Sequence, residues 1–418
     1  MLRIARVKEL LRPPPEIAAK AAQSKHHLPL DVHRNTMKHL LRAFPLLCAL
    51  VLTGPGALAH SNETLSGPQA AGLARKVVPK GKDGVGWGAA VHQALKRNGI
   101  AATQSNFCSV MAVIEQESTY TANPEVKGLG QMAEKEIARK LSALPLPTAT
   151  QLGVTWFLSR KPTAKKSYLT LIRAAKTERD LDLVFRNISF FMFRELASTR
   201  LLNTGVLARR VDAVNPVSTL GSMQVSISYV IAEVEKARGR RLGMPAIWKL
   251  RDELYTREGG VNYGTRMLLG YRAGYASRIH VFADFNAGRY ASRNAAFQHM
   301  VSELSGQKLA LDGDLLLYDG ASPKPEASAT EKAVRRIRLG IPDDDIRADL
   351  SWEKDYGFRD TPLYARVAEA YAAKTGKTAP YAMIPQIRLE SPKLSKHMTT
   401  ERFARAVMRR YERCMMVK

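Results

Sequence analysis

Two glutamates, Glu115 and Glu117, lie near the end of an apolar segment that spans residues 106–118. Apolar residues three and four positions apart predict that this segment is a helix. Glu117 follows Ile114 by three residues and Val113 by four, so its carboxyl lies along the apolar stripe. Burial raises the pKa of a carboxyl, and a glutamic acid protonated near neutral pH suits the general acid of glycosidic cleavage. Helical spacing alone leaves Glu115 as an alternative, and a solvated glutamate at a helix end is the ordinary structural interpretation of both.

The elements that would position such an acid are mainly helical. Strand patterns are few, and residues 315–318 are the best of them. Apolar residues three and four apart recur in the segments 87–98, 106–118, 134–144, 177–199, 224–238 and 262–275. We therefore predict a mainly α fold.

Changes in composition divide the chain. Residues 60–85 are rich in small and polar residues and are predicted to be a flexible leader. Residues 322–328 have the composition of a linker, and a small helical C-terminal region follows over residues 329–418. Within that region a helix is expected to begin at Pro362 and to stop at Gly376.

The composition is that of a globular protein with a basic surface. Of 418 residues, 45% are apolar and 24% are charged. Lys and Arg number 64 against 38 Asp and Glu, so the formal net charge is +26. This charge indicates nucleic acid, a membrane surface or a cell-wall polymer as partner, or simply a solvated basic face. Nine scattered histidines and three cysteines show no ladder of close spacings, so we expect no metal site and no cofactor.

A secretory signal is predicted over residues 37–59. Basic residues between Met37 and Arg42 precede a short apolar run and Ala57-Leu58-Ala59, which is a small-residue cleavage site. The run is too short for a transmembrane helix, so none is expected in the mature chain. Residues 1–36 are then either an untranslated stretch before the true start or a long basic leader.

Export narrows the choice of partner. In the periplasm, or at the periplasmic face of the outer membrane, we expect no nucleic acid as partner. Peptidoglycan and the anionic outer-membrane surface carry the negative charge that a basic protein would meet there.

Two cysteines, Cys108 and Cys414, remain after cleavage in a compartment that permits disulfides. Both lie on predicted apolar helical segments. A bridge between them is our preferred interpretation, and two inert buried thiols are the alternative.

Three motifs, Ile114–Tyr120, Gly221–Val225 and Phe285–Gly288, occur in one order along the chain. This order resembles lysozyme-like lytic transglycosylases, which have a Glu-Ser at a helix end, a Gly-x-Met-Gln turn and a Tyr-Asn-Ala-Gly segment. The resemblance implies that Glu117 is the catalytic acid and that Ser118 supports it. It further implies substrate-binding positions at Gly221, Met223, Gln224, Asn286 and Gly288.

The resemblance has two departures. Phe285 stands where the family has a tyrosine beside the acid. Gly221 follows Glu117 by 104 residues, far more than the family leads one to expect. The resemblance therefore implies a lysozyme-like domain over residues 86–321 with a large helical insertion at about 131–215, which would roof the glycan groove or block it.

A second resemblance covers nearly the whole exported chain. The segments that carry it are 107–110, 222–226, 282–297 and 310–315. They resemble the YaiW-like outer-membrane lipoproteins of Gram-negative bacteria, which implies an envelope location and a link to peptide uptake. Those lipoproteins carry a lipobox cysteine, whereas Pro55 follows Gly54 here, so a soluble periplasmic product is expected rather than a lipid-anchored one.

The leading hypothesis is a lytic transglycosylase-like enzyme that acts on peptidoglycan glycan strands with a single glutamate, Glu117. Hydrolysis would instead need a second carboxylate about 5–9 Å away, and Asp284 and Glu125 are the candidates for it. The rival hypothesis is a non-catalytic envelope protein that binds wall glycan or assists peptide uptake.

Cleavage after Ala59 is directly testable. N-terminal sequencing of the exported protein should give His60 as its first residue, because the small residues at 57 and 59 fit signal peptidase. Any other first residue would revise the predicted signal.

Overall fold

The computed structural model describes residues 63–143, 148–196, 205–319, 322–388 and 398–417. The predicted leader 1–36 and signal peptide 37–59 lie outside the described residues. The described chain is mainly helical, as predicted. Its α-helices are α1 (Gly67–Val77), α2 (Gly84–Arg97), α3 (Gln104–Ser118), α4 (Leu129–Ala143), α5 (Thr148–Arg160), α6 (Tyr168–Ala174), α7 (Glu178–Leu196), α8 (Gly205–Ala213), α9 (Ile227–Arg238), α10 (Met244–Leu254), α11 (Arg257–Leu269), α12 (Arg278–Ala287), α13 (Ala291–Ser305), α14 (Ala329–Ile337), α15 (Asp343–Leu350), α16 (Pro362–Thr375) and α17 (Thr400–Met415).

Strands are short and pair only with their neighbours in the chain. Strand β1 (Thr219–Leu220) pairs antiparallel with β2 (Val225–Ser226), and β3 (Tyr318–Asp319) pairs with β4 (Ser322–Pro323). The predicted strand at 315–318 thus contributes one residue to β3.

Helix α3 forms the centre of the main core. It is apolar on nearly all sides, and such a helix is stable only when other elements surround it. Helices α2, α11, α12 and α17 pack around it directly or through one another. Thr103 caps its N-terminus by accepting a hydrogen bond from the Asn106 amide, and Thr119 ends it in the left-handed conformation.

The prediction of a flexible leader at 60–85 is wrong for the residues described there. Helix α1 begins with a capping box between Ser66 and Gln69 and packs along α2. Its small residues form the contact, because Ala74 is buried and a Cβ on Gly88 would lie 2.7 Å from the Ala74 Cβ. A composition that resembled a loop is in fact a close helix–helix interface.

The C-terminal region forms a second apolar cluster between α13, α14, α15 and α16. The expected helix is α16, capped by Thr361 at its start and by Gly376 in the left-handed conformation at its end. The N-terminal and C-terminal caps of α16 are therefore those that the sequence predicted.

A disulfide joins Cys108 of α3 to Cys414 of α17, as expected, with the two Cα atoms 5.6 Å apart and the two residues 306 positions apart in sequence. It fastens the last helix of the chain to the central one. Within the described ranges, no helix has both the length and the apolar character needed to cross a membrane.

Loss of this disulfide should destabilise the fold. Cys414→Ala releases a very long loop in the unfolded chain, so we expect the free energy of unfolding to fall by roughly 2–5 kcal/mol. Urea unfolding followed by circular dichroism measures this. A reducing agent should weaken the wild type to a similar extent and leave the variant unchanged; equal midpoints for both oxidised proteins would contradict the stabilising role.

Candidate functional site

Glu117 lies in the last turn of α3, where its side chain is partly buried. Within the described part of the chain, its carboxyl forms no hydrogen bond and no ion pair. Burial raises the pKa of Glu117 to about 8, and the nearby Glu178 carboxylate adds to this rise. The carboxyl is therefore largely protonated at neutral pH, as the apolar stripe predicted.

The alternative acid, Glu115, faces the other way. Its Oε1 lies 2.7 Å from the Arg413 guanidinium and 3.4 Å from that of Arg410, both on α17. These two ion pairs occupy the Glu115 carboxylate, whereas Glu117 forms no ion pair among the described residues. The structure therefore distinguishes Glu115 from Glu117, which helical spacing alone could not do.

The predicted Met-Gln turn connects β1 to β2. Gly221 has a φ of 75°, and any side chain there would collide with the Leu254 carbonyl oxygen. Met223 is fully buried against Gly264, which has no room for a Cβ. Glycine is thus required at two positions for the turn to reach the core.

Gln224 has a φ of 49°, which is rare for a residue with a side chain. Its side chain makes three hydrogen bonds. The Thr219 hydroxyl donates to Oε1 at 2.9 Å, and Nε2 donates to the Glu178 carboxylate at 3.0 Å and to the Gly221 carbonyl oxygen at 3.3 Å. Because the hydroxyl fills the oxygen of the amide, the NH₂ group must face Glu178.

Glu178 begins α7 inside the predicted insertion and is 4% exposed. Sequence reasoning missed it. The available signal was the spacing of Glu178, Asp182 and Arg186, which are four residues apart in the predicted helix and so share one face. The structure turns this charged face inward.

A buried ion-pair cluster holds that face in place. Asp182 and Arg251 are both fully buried, and their charged atoms lie 2.9 Å apart. Asp182 also accepts hydrogen bonds from Arg186 at 2.5 Å and Asn215 at 2.7 Å, while Arg251 donates to Asp212 at 2.7 Å. Since each buried charge is paired, α7 is fixed against α10 and the loop before β1.

The other predicted site residues have local structural contacts. The Ser118 hydroxyl donates to the Ile114 carbonyl, and the Asn286 amide oxygen accepts from Thr400 at 2.8 Å. Gly288 ends α12 with a φ of 113°. In the described ranges neither Asn286 nor Gly288 hydrogen-bonds to Glu117, Glu178 or Gln224, so their glycan-binding roles stay predictions.

Asp284, one candidate for a second carboxylate, is saturated with hydrogen bonds. It accepts from the hydroxyls of Tyr271 and Tyr275 and from the amides of Tyr290 and Ser292, at 2.7–3.0 Å. Burial raises its pKa, while these donors act in the opposite direction. Asp284 thus organises the start of α13. The other candidate, Glu125, forms a β-bridge with Thr177, next to Glu178.

A sequence family described as "Protein of unknown function (DUF1615)" matches residues 80–417. The chain belongs to the DUF1615 family. A similar protein, "Uncharacterized protein YaiW" of Escherichia coli (strain K12), is 38% identical over 388 residues, which cover 90% of this chain and 98% of that protein. No solved structure matches significantly. The YaiW-like resemblance is thereby confirmed, while the lysozyme-like fold and the transglycosylase motifs remain predictions for this DUF1615 protein.

The buried cluster predicts that two aspartates, Asp182 and Asp252, contribute unequally to the free energy of unfolding. Asp182→Ala leaves Arg251 and Arg186 without their shared partner in the core, so the free energy of unfolding should fall by about 3–5 kcal/mol. The matched control is Asp252→Ala, because Asp252 pairs with Arg186 at 2.9 Å but its side chain is 46% exposed. That change should cost less than about 1 kcal/mol. Urea unfolding compares the two; equal losses would show that the cluster does not anchor α7.

Proposed function

We propose that the chain acts on peptidoglycan glycan strands as a lytic transglycosylase-like enzyme with Glu117 as its proton donor. The observation that carries this proposal is the setting of Glu117: a carboxyl without a hydrogen-bonding partner among the described residues, protonated at neutral pH, beside a fixed polar cluster. The proposal includes export by residues 37–59 to the periplasm.

The proposed reaction begins with the proton on the Glu117 carboxyl. Glu117 donates it to the glycosidic oxygen as the bond from that oxygen to the anomeric carbon breaks. The muramoyl 6-hydroxyl then attacks the anomeric carbon, and the Glu117 carboxylate takes up the hydroxyl proton. The product is a 1,6-anhydro sugar, and Glu117 returns to its protonated form.

A concave surface formed by the residues just before α7 has room for a sugar-sized ligand. A cavity of about 690 Å³ lies between residues 125–131, which follow α3, and residues 173–176, which precede α7. This volume is in the range of ordinary ligand sites. Lys127 and Lys176 line it and suit the negative charge of wall peptides, whereas Arg173, which also lines it, is paired with Glu134.

An accessory role in wall binding or peptide uptake is the second candidate. Two observations favour it: Phe285 replaces the family tyrosine, and Asn286 is engaged by Thr400 at the start of α17. In this role Glu117 would hold a sugar without cleaving it.

Digestion of purified sacculi tests the enzyme directly. The protein without residues 1–59 should release anhydro-muropeptides, detected by mass spectrometry, and Glu117→Gln should release none. Because the acid must carry its proton, activity should be full at neutral pH and fall as the pH rises through about 8.

The control is Glu115→Gln, which removes a carboxylate two residues away on the face towards α17 and should keep most of the activity. Equal binding of wild type and Glu117→Gln to sacculi, with no release by either, would favour the accessory role. Absence of both binding and release would contradict any action on the wall.

A further inference from the structure

Helix α5 (Thr148–Arg160) has an apolar side that is exposed among the described residues, and a basic loop follows it. We propose that this side and this loop form a docking surface for an anionic lipid bilayer. We refer to Leu152, Trp156, Lys165 and Lys166 together as the α5 surface. The proposal involves neither Glu117 nor any action on the wall, so it goes beyond the proposed function and stands or falls independently of it.

The inner side of α5 is fixed by packing. The ring centroid of Phe157 lies 5.6 Å from that of Tyr168 in α6 and 5.6 Å from that of Phe191 in α7. Leu158, the next residue, belongs to the main core. Because α5 is held by this side, the orientation of its other side is fixed as well.

Leu152 and Trp156 lie on the other side of α5. They are four residues apart, so they are neighbours on one face of the helix, and they are 65% and 59% exposed. A helix that packs on one side usually carries charged or polar residues on the other, but α5 has no charged residue before Arg160. Tryptophan is enriched at membrane–water interfaces, and leucine on an interfacial helix is buried at the boundary of headgroups and acyl chains. The two side chains therefore suit a lipid surface.

The basic loop lies directly beside the end of α5. The Tyr168 amide donates to the Lys161 carbonyl oxygen at 2.7 Å, which closes residues 161–168 into a tight loop. Lys165 and Lys166 lie in that loop and are exposed. Among the described residues neither lysine forms an ion pair, and Arg160 at the end of α5 forms none either. Their charges are therefore available to the phosphates of lipid headgroups.

The charge of the surrounding segment favours an anionic partner. Residues 137–177 contain no Asp or Glu, whereas they contain eight basic residues, namely Arg139, Lys140, Arg160, Lys161, Lys165, Lys166, Arg173 and Lys176. Two of these, Arg139 and Arg173, pair with glutamates of α4. Lysine and arginine near an anionic lipid surface each add to the attraction. The α5 surface thus combines an apolar pair with an excess of positive charge.

Other occupants match this surface less well. A second copy of the chain would bring the same positive charges to the same place, so the two copies would repel each other. A wall glycan would stack on Trp156 and leave Leu152 in water. Of these partners, an anionic bilayer is the one that meets both the apolar pair and the lysines.

Co-sedimentation with vesicles tests the proposal. The protein without residues 1–59 is suitable, since the part of the chain after residue 60 forms a compact unit. It should bind vesicles of phosphatidylcholine and phosphatidylglycerol but not vesicles of phosphatidylcholine alone. Binding should weaken as the salt concentration rises to about 0.5 M, because salt screens exposed charges. Tryptophan emission should move to shorter wavelength in the presence of the anionic vesicles, as the Trp156 indole enters a less polar place.

Two variants of the α5 surface should lose this binding. Trp156→Ala should raise the Kd for anionic vesicles about tenfold and abolish the emission shift. Lys165→Gln together with Lys166→Gln should raise the Kd about 30-fold. Both changes are at exposed positions, so circular dichroism should show an unaltered fold.

Matched controls change the same residue types elsewhere. Trp352 is 52% exposed in the C-terminal region, and Trp352→Ala should keep both the Kd and the emission shift. Lys80→Gln together with Lys332→Gln removes two exposed charges outside the segment 137–177. This pair should change the Kd by less than about threefold, because charges far from the bound surface are screened.

Four results would overturn the proposal. An unchanged Kd in Trp156→Ala would show that α5 does not enter the bilayer. Equal losses in the two lysine pairs would show that only the net charge of the chain binds vesicles. A dimer of the wild type in sedimentation velocity that Trp156→Ala abolishes would assign the surface to a second copy. Weaker binding of Trp156→Ala to sacculi, with unchanged binding to vesicles, would assign it to wall glycan.

Discussion

The pairing of Asp182 with Arg251 is the interaction on which the candidate site depends. Both side chains are fully buried, and a buried charge is tolerated only when a partner of opposite charge compensates its loss of hydration. The two residues come from α7 and α10, so the requirement fixes one helix against the other. Glu178 lies one turn before Asp182 on the same face of α7. The position of Glu178 therefore depends on the buried pair of Asp182 and Arg251.

Helix α3 shows how one element gives two identical side chains different chemistry. Glu115 and Glu117 are two residues apart, so they point to different sides of the helix. One side meets the arginines of α17, which the disulfide holds against α3. The other side carries Glu117, whose pKa is raised by burial and, to a smaller extent, by the charge of Glu178. The packing around α3, rather than its sequence, decides which glutamate pairs with arginines and which has its pKa raised by burial.

The sequence predicted what depends on local pattern. The apolar stripe placed Glu117 in a partly buried position, and the cysteines on two such stripes indicated the disulfide. It did not reveal α1, because the alanines and glycines of a close helix contact have the composition of a loop. It did not reveal Glu178 as a neighbour of Glu117 either. Their electrostatic interaction joins residues 61 positions apart and depends on how α7 packs, which no local pattern encodes.

The long interval between Glu117 and the Met-Gln turn contains α7, which contacts that turn. A helical insertion there was expected to roof the groove or to block it. In the structure, α7 inside this interval supplies the carboxylate that accepts a hydrogen bond from the Gln224 amide. The DUF1615 match runs over residues 80–417 and so includes α7, which makes this helix part of the family's own fold. The interval therefore supplies both the hydrogen-bonding partner of Gln224 and the buried ion-pair cluster that fixes α7.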